Sequence, residues 1–259
     1  MKILIVSGFL GAGKTTFIKR LARNVDQRFA ILENEYGAAG IDGARLGQNR
    51  QGTQKNVWEM TEQCICCIGK KDFAASVLTI ANVVDPEYLI VEPTGVGSLA
   101  RIIENLRQIE YERIQLLSPV TIVDVYSYRR YMAEYPELYQ DQIRSADTII
   151  VSKTEACQAE EKQRIQKFLQ EINSQAKIIT DYASTMTRED YQSLLLGGRY
   201  EKEVQDTQSG EKMPETFSFE NIRMEAPETL WCFLEQIIRG AFAVSYTHLR
   251  AHETDSYLV

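Results

Sequence analysis

Gly8-Phe9-Leu10-Gly11-Ala12-Gly13-Lys14-Thr15-Thr16 follows directly on the apolar run Ile3-Leu4-Ile5-Val6. The stretch fits the phosphate-loop pattern G-x-x-x-x-G-K-[ST], which needs a strand before it and a helix after it. Both are expected here, the helix over Phe17 to Arg23. Gly8, Gly11 and Gly13 let the backbone curl so that its N–H groups face one point. Such a row of donors at a helix N-terminus holds phosphate oxygens. Lys14 is expected to reach the β and γ phosphates, and the Thr15 hydroxyl is placed for Mg²⁺. The nucleotide-binding set on this loop is therefore Gly8, Gly11, Ala12, Gly13, Lys14, Thr15 and Thr16, with Lys14 also catalytic.

Outward from the loop, short apolar runs alternate with longer amphipathic stretches. Strands are predicted at Ile3–Ser7, Phe29–Glu33, Val57–Met60, Tyr88–Val91, Val120–Val123, Thr148–Val151 and Lys177–Thr180. Helical patterns include Leu99–Gln108, Ala159–Ile172 and Asp190–Leu196. Near-continuous apolar strands alternating with helices indicate an α/β fold with a largely parallel central sheet flanked by helices. Ligands of such sheets bind at the carboxyl ends of the strands, so motifs just after strands gather on one rim.

The chain has 259 residues, with 44% hydrophobic and 25% charged content, ordinary for a globular protein. A net charge of −7 argues against a general nucleic-acid or anionic-membrane surface. No apolar run approaches the roughly 20 residues of a membrane helix. Met1-Lys2 leads straight into a strand, without a signal-peptide pattern, so a cytoplasmic location is expected. Five cysteines, an odd count, make a disulfide framework the wrong expectation and reduced thiols the default.

Further motifs follow three of the strands. Glu92-Pro93-Thr94-Gly95 puts an acidic residue where phosphate-loop enzymes hold Mg²⁺, and Gly95 can bring a backbone N–H to the γ-phosphate. Ser152-Lys153-Thr154-Glu155 is similar to the N-K-x-D motif that reads guanine, with Ser152 for Asn and Glu155 for Asp. Ser152, Lys153 and Glu155 join the nucleotide-binding set, and GTP is expected over ATP. Asp42, in Gly40-Ile41-Asp42-Gly43, could orient water or metal in a switch loop, or be a solvated turn aspartate.

Cys64-Ile65-Cys66-Cys67 places three thiols within four residues after the strand Val57–Met60. Thiolates are soft donors suited to Zn²⁺ and similar ions. Three cysteines leave a tetrahedral site incomplete, and oxygens of Glu33-Asn34-Glu35, which ends the second strand on the same expected rim, could complete it. A structural zinc site completed elsewhere and a redox-sensing thiol pair are the alternatives. Cys157 and Cys232 read as small packed residues.

Taken together, GFLGAGKTT, Glu33-Asn34-Glu35-Tyr36-Gly37, the cysteine cluster, Glu92-Pro93-Thr94-Gly95 and SKTE resemble the CobW family of P-loop GTPases, relatives of UreG and HypB. The resemblance covers about residues 1 to 200. It implies a metallochaperone in which GTP binding and hydrolysis drive delivery of Zn²⁺, Co²⁺ or Ni²⁺ to a client, as in YciC-like zinc chaperones. Implied ligands are Thr15 and Glu92 for Mg²⁺, and Cys64, Cys66, Cys67, Glu33 and Glu35 for the transition metal. Ala38 stands where an acidic residue often follows this motif, and the His-rich stretch of some members is absent.

The expected organisation is a P-loop GTPase domain over 1–200, a linker over 201–212, and the beginning of a smaller C-terminal α/β domain over 213–244. Residues 245–259 resemble translated adapter sequence, a non-native tail, so His248 and His252 carry no role. Expected catalytic residues are Lys14, Asp42 and Glu92. Expected partners are GTP, a metal ion, a client metalloprotein and a second copy in a homodimer, with no nucleic acid and no membrane. With no intrinsic arginine finger evident, turnover should be slow without the client. A small-molecule kinase on the same loop would differ by passing the γ-phosphate to an acceptor. A non-catalytic metal-binding or sensing protein would hydrolyse nothing.

Overall fold

The computed structural model describes residues 1–27, 29–35, 57–63 and 70–204, together with Thr229, Cys232 and Glu235. For residues 33–35, 57–63 and 70–72 it describes the backbone alone. The chain divides into two compact units, Met1–Ser218 and Phe219–Val259, and the architecture below is that of the first.

Its strands are β1 (Lys2–Gly8), β2 (Phe29–Glu35), β3 (Val57–Gln63), β4 (Tyr88–Glu92), β5 (Gln115–Leu116), β6 (Val120–Asp124), β7 (Thr148–Ser152) and β8 (Lys177–Ile179). They form one parallel sheet in the order β3-β2-β4-β1-β6-β7-β8, with β5 paired to the first residues of β1. The helices are α1 (Lys14–Asn24), α2 (Lys70–Val83), α3 (Leu99–Arg107), α4 (Tyr128–Glu134), α5 (Pro136–Arg144), α6 (Ala159–Ile172), α7 (Tyr182–Thr185) and α8 (Arg188–Leu196).

Every predicted strand is present within two or three residues of its expected bounds, because apolar runs of this length cannot be satisfied except on both faces of a covered sheet. Successive side chains of β1 alternate between two cores. Ile3 and Ile5 pack with Ala30, Leu32, Leu89 and Val91 beneath α2 and α3. Leu4 and Val6 pack with Ile31, Ile90, Ile122 and Ile150 beneath α1 and α8. At about 0.8 kcal/mol per buried CH₂, these two layers are the main source of stability.

The helices α2, α4, α5 and α7 and the strand β5 were not among the expected elements. Tyrosines at 128, 131, 135 and 139 blur the periodicity across α4 and α5. The break between them comes at Tyr135 (φ −138°, ψ 58°), where Pro136, lacking an N–H, starts α5 at a position that needs none.

β1 lies at the switch point of the sheet. Chain from β2 to β4 builds one side of it, and chain from β6 to β8 builds the other. A crevice at the carboxyl end of such a strand is where ligands of open α/β sheets bind. One buried side chain sets the path into β7. Asn173, at the C-cap of α6, donates to the carbonyls of Ile143 (2.8 Å), Arg144 (3.2 Å) and Ala146 (2.9 Å), tying down the turn between α5 and β7.

The chain remains attached to this domain beyond Tyr200. Val204 packs against the α2–α3 core, the Lys202 carbonyl accepts from Arg107, and the Lys202 ammonium donates to Arg144 O at 2.9 Å. Among the described residues, no helix is long and apolar enough to cross a membrane.

Asn173→Ala removes a donor from three carbonyls; Arg144 O keeps Lys202 and Ile143 O keeps Ala146 N, while the buried bond to Ala146 O is lost. Urea denaturation should show a loss of about 2 kcal/mol.

Candidate nucleotide site

The loop between β1 and α1 has the geometry its glycines promised. Gly8, Gly11 and Gly13 lie at φ of +142°, +67° and +98°. At Gly8 a Cβ would sit 2.5 Å from the carbonyl oxygen of Ile122, its partner across β1 and β6, so no larger residue fits. Gly13 is the N-cap of α1, one turn earlier than the predicted start, and the first turn holds no acidic residue. The amides of Lys14, Thr15 and Thr16 fall in that first turn, where helix geometry supplies no carbonyl partner. A ring of amides beside the positive end of a helix dipole is a fitting cradle for phosphate.

Lys14 is buried, its ammonium folded over the loop within 3.1 Å of Gly8 O and 3.4 Å of Phe9 O. The Thr15 hydroxyl donates to Glu92 Oε1 at 2.8 Å. A hydroxyl in the first turn of α1 in contact with a carboxylate at the end of β4 is a fitting donor pair for a hard divalent cation. Thr16 is exposed on the first turn.

The loop after β4 leans on the phosphate loop itself. A Cβ at Gly95 would collide with the Leu10 backbone, 2.8 Å from its Cα. Gly95 is therefore required by close approach of two backbones, a reason the sequence pattern alone did not supply. Two residues of α5 hold this loop in place. Gln142 donates to Gly95 O (3.1 Å) and Gly97 O (2.9 Å), and Asp141 Oδ2 accepts from the amides of Leu99 (2.7 Å) and Ala100 (3.5 Å). Asp141 thus satisfies donors at the start of α3, together with the Ser98 hydroxyl, which accepts from Arg101 N.

The Ser152-Lys153-Thr154-Glu155 segment closes the other side. Ser152 Oγ donates to Ala12 O at 2.6 Å, so the residue standing in for Asn is a tether to the phosphate loop. Lys153 takes a left-handed φ of +59° and pairs with Asp124 at 2.7 Å. Thr154 is buried and Glu155 is exposed. Further along, Lys162 donates to Asp181 at 2.6 Å; this bond, assisted by Thr154, holds the Asp181 carboxyl below its ordinary range.

Behind the loop, Tyr131 donates its hydroxyl to Leu10 O at 2.9 Å. Its ring lies 4.2 Å from that of Phe9, which also meets Tyr135 and Tyr139. Asp124, Tyr131, Asp141 and Gln142 escaped the sequence reading. Only Asp124 left a signal, since it ends the apolar run Val120–Val123 as Glu92 ends Tyr88–Val91.

Of the expected metal ligands, Glu33 and Glu35 lie on β2, the former in register with Glu92 of β4 and the latter with Gln63 of β3. Gln63 immediately precedes Cys64. Cys64, Cys66, Cys67 and Asp42 lie outside the described residues, as do His248 and His252. Cys157 is half-buried and Cys232 exposed, and both are free thiols.

A model of the CobW/HypB/UreG nucleotide-binding domain matches residues 2–180, and the chain belongs to this family. It is similar to the zinc chaperone YeiR of Escherichia coli, 30% identical over 178 residues, covering 68% of this chain and 53% of that protein. It is also similar to the zinc chaperone CobW of Pseudomonas aeruginosa, 27% identical over 209 residues, covering 69% of this chain and 56% of that protein. The crystal structure of the Zn(II)-bound YjiA GTPase of Escherichia coli shares its fold, with a TM-score of 0.53 at 20% identity, covering 78% of this chain and 66% of that one. The chain spans about half the length of the curated relatives it matches.

Burial, with the nearby Asp124 charge adding to it, pushes the Tyr131 phenol from 10.0 up to about 12, and Tyr139 is raised further for the same reasons. The folded chain then keeps protons that the unfolded chain releases. Their contribution to stability is complete below about pH 10 and is lost as the pH rises through the raised values. Unfolding midpoints measured across this alkaline range should fall, and Tyr131→Phe should flatten part of that fall while costing about 1 kcal/mol at neutral pH.

Proposed function

We propose that this chain is the nucleotide-binding part of a GTP-hydrolysing metallochaperone, one that delivers a transition metal, zinc first and cobalt or nickel in its place, to a client metalloprotein. The observation that carries this reading is the Thr15–Glu92 contact at the mouth of the phosphate loop, one strand away from Glu33 in register. Neighbouring strands are about 5 Å apart. The carboxyl ends of β2 and β3 therefore lie on the same rim as the phosphate loop, and the cargo site is proposed to start from there.

In this reading the loop amides and Lys14 hold the β and γ phosphates and stabilise charge at the bridge between them. Thr15 and Glu92 would hold Mg²⁺, which supplies neutralisation of the phosphate charge when bound. Ser152, Lys153 and Glu155 form the base-reading side, with GTP preferred, and Gly95 keeps the loop after β4 against the phosphate loop. Asp42 is the proposed switch residue. Cys64, Cys66 and Cys67, with Glu33 or Glu35, carry the cargo ion. Thiolates mixed with carboxylates bind an ion less tightly than four thiolates, which suits handing it on. The domain plan proposed is the one read from the sequence, with the smaller unit begun over 213–244.

Binding of nucleotide and cargo at one rim makes their affinities linked and the linkage reciprocal. Zinc and cobalt titrations should therefore give affinities differing by about 5- to 150-fold between the GDP complex and the complex with a non-hydrolysable GTP analogue. Cys66→Ala should remove most of that difference; equal affinities in the two nucleotide states would refute the coupling. Separately, Thr15→Ala and Glu92→Gln should each lower Mg²⁺-dependent phosphate release from GTP by about a hundredfold.

A further inference from the structure

Asp124 ends β6 opposite Ser152 of β7, with its carboxylate 5% exposed. Three donors converge on it: Tyr126 N on Oδ1 at 2.9 Å, Ser127 Oγ on Oδ2 at 2.9 Å, and Lys153 Nζ on Oδ2 at 2.7 Å. The first two shape the turn into α4. The third reaches across 29 positions of sequence to a lysine whose side chain is 48% exposed.

Lys153 is fixed at both ends. Its backbone follows Ser152, which is tied to Ala12 O, and turns through a left-handed φ of +59°. Its ammonium is tied to Asp124. Between these points the four methylenes lie along the carboxyl rim beside the phosphate loop, half open to solvent. An exposed lysine would lose much rotamer freedom on packing against a ring. Here that freedom is already spent before any ligand arrives, and a preorganised contact binds more tightly than one that must be ordered. The pair also compensates the burial of the Asp124 carboxylate, which is 5% exposed.

In the reading above the Lys153 stem faces the purine, as the resemblance of SKTE to N-K-x-D implies; we propose that Asp124 is the positioning residue that holds this stem, and so sets the base-dependent part of the affinity. The proposal rests on the nucleotide-binding reading above. It separates the base from the phosphates, which the reading above assigns to the loop amides and Lys14.

Binding of Mg-GDP and of Mg-tripolyphosphate, measured by calorimetry on the whole chain, tests it. Asp124→Asn keeps an acceptor for Tyr126 N and removes the charge that holds the lysine. It should weaken GDP binding by about tenfold and leave tripolyphosphate binding unchanged. Lys153→Met keeps the stem but not the ammonium, leaves Asp124 in place, and should lose GDP affinity by the same factor. The double variant should be no weaker than either single variant. Unchanged GDP affinity in Lys153→Met, equal losses for both ligands in Asp124→Asn, or additive losses in the double variant would each overturn the proposal. A wild-type chain that binds tripolyphosphate but shows no preference for GDP over pyrophosphate would also overturn the proposal while leaving the phosphate cradle standing. One that binds neither would overturn the nucleotide reading itself, and the proposal with it.

Discussion

The tight packing of the phosphate-loop backbone against its neighbours is the constraint on which the rest of the molecule depends. Ile122 O closes on the Cα of Gly8, and the backbone of Leu10 closes on Gly95. Three loop carbonyls that curl away from regular structure are met by side chains: Gly8 O by Lys14, Leu10 O by Tyr131 and Ala12 O by Ser152. A carbonyl removed from water without a donor costs about 1–3 kcal/mol. The loop therefore keeps its cradle shape only while β6, β7, α4 and the segment after β4 stay where they are. This makes the cradle rigid before any ligand arrives, which is what a site needs when its donors must not reorganise during reaction.

The helical pair α4 and α5 is the bracket for this arrangement. Its tyrosines pack against Phe9 in tilted and edge-on contacts, and its two polar residues Asp141 and Gln142 reach forward to the segment between Gly95 and Ala100. Gln142 is also locked from behind, its backbone carbonyl accepting from Thr121 at 2.8 Å. A buried network of this kind is costly when partly broken and specific when satisfied. Contact between Gly95 and Leu10 ties the phosphate loop to the segment that follows Glu92.

The sheet continues from Glu92 across β2 and β3. Glu92 of β4, Glu33 of β2 and Thr61 of β3 follow one another across the strands in register, and β2 and β3 continue together to Glu35 and Gln63. Parallel strands hydrogen-bonded this far transmit position with little slack. β3 is the edge strand on that side, three strands from β1.

The sequence by itself determined the strands, the phosphate loop and the class of chemistry. Continuous apolar runs have only one stable disposition, between two covering layers, and a Gly-rich turn ending in Lys-Thr has few uses besides phosphate. Glu92 and the SKTE segment were legible for the same reason, each being a polar break at the end of such a run. Only the tertiary structure decided the roles of Asp124, Tyr131, Asp141, Gln142 and Asn173. Each is one polar residue whose partner lies far along the chain, 29 positions away for Asp124 and Lys153, 42 for Asp141 and Leu99, and 121 for Tyr131 and Leu10. No local period records such a pairing. It exists because strand order and register place two distant ends side by side, and because a buried donor or acceptor must then find its complement there.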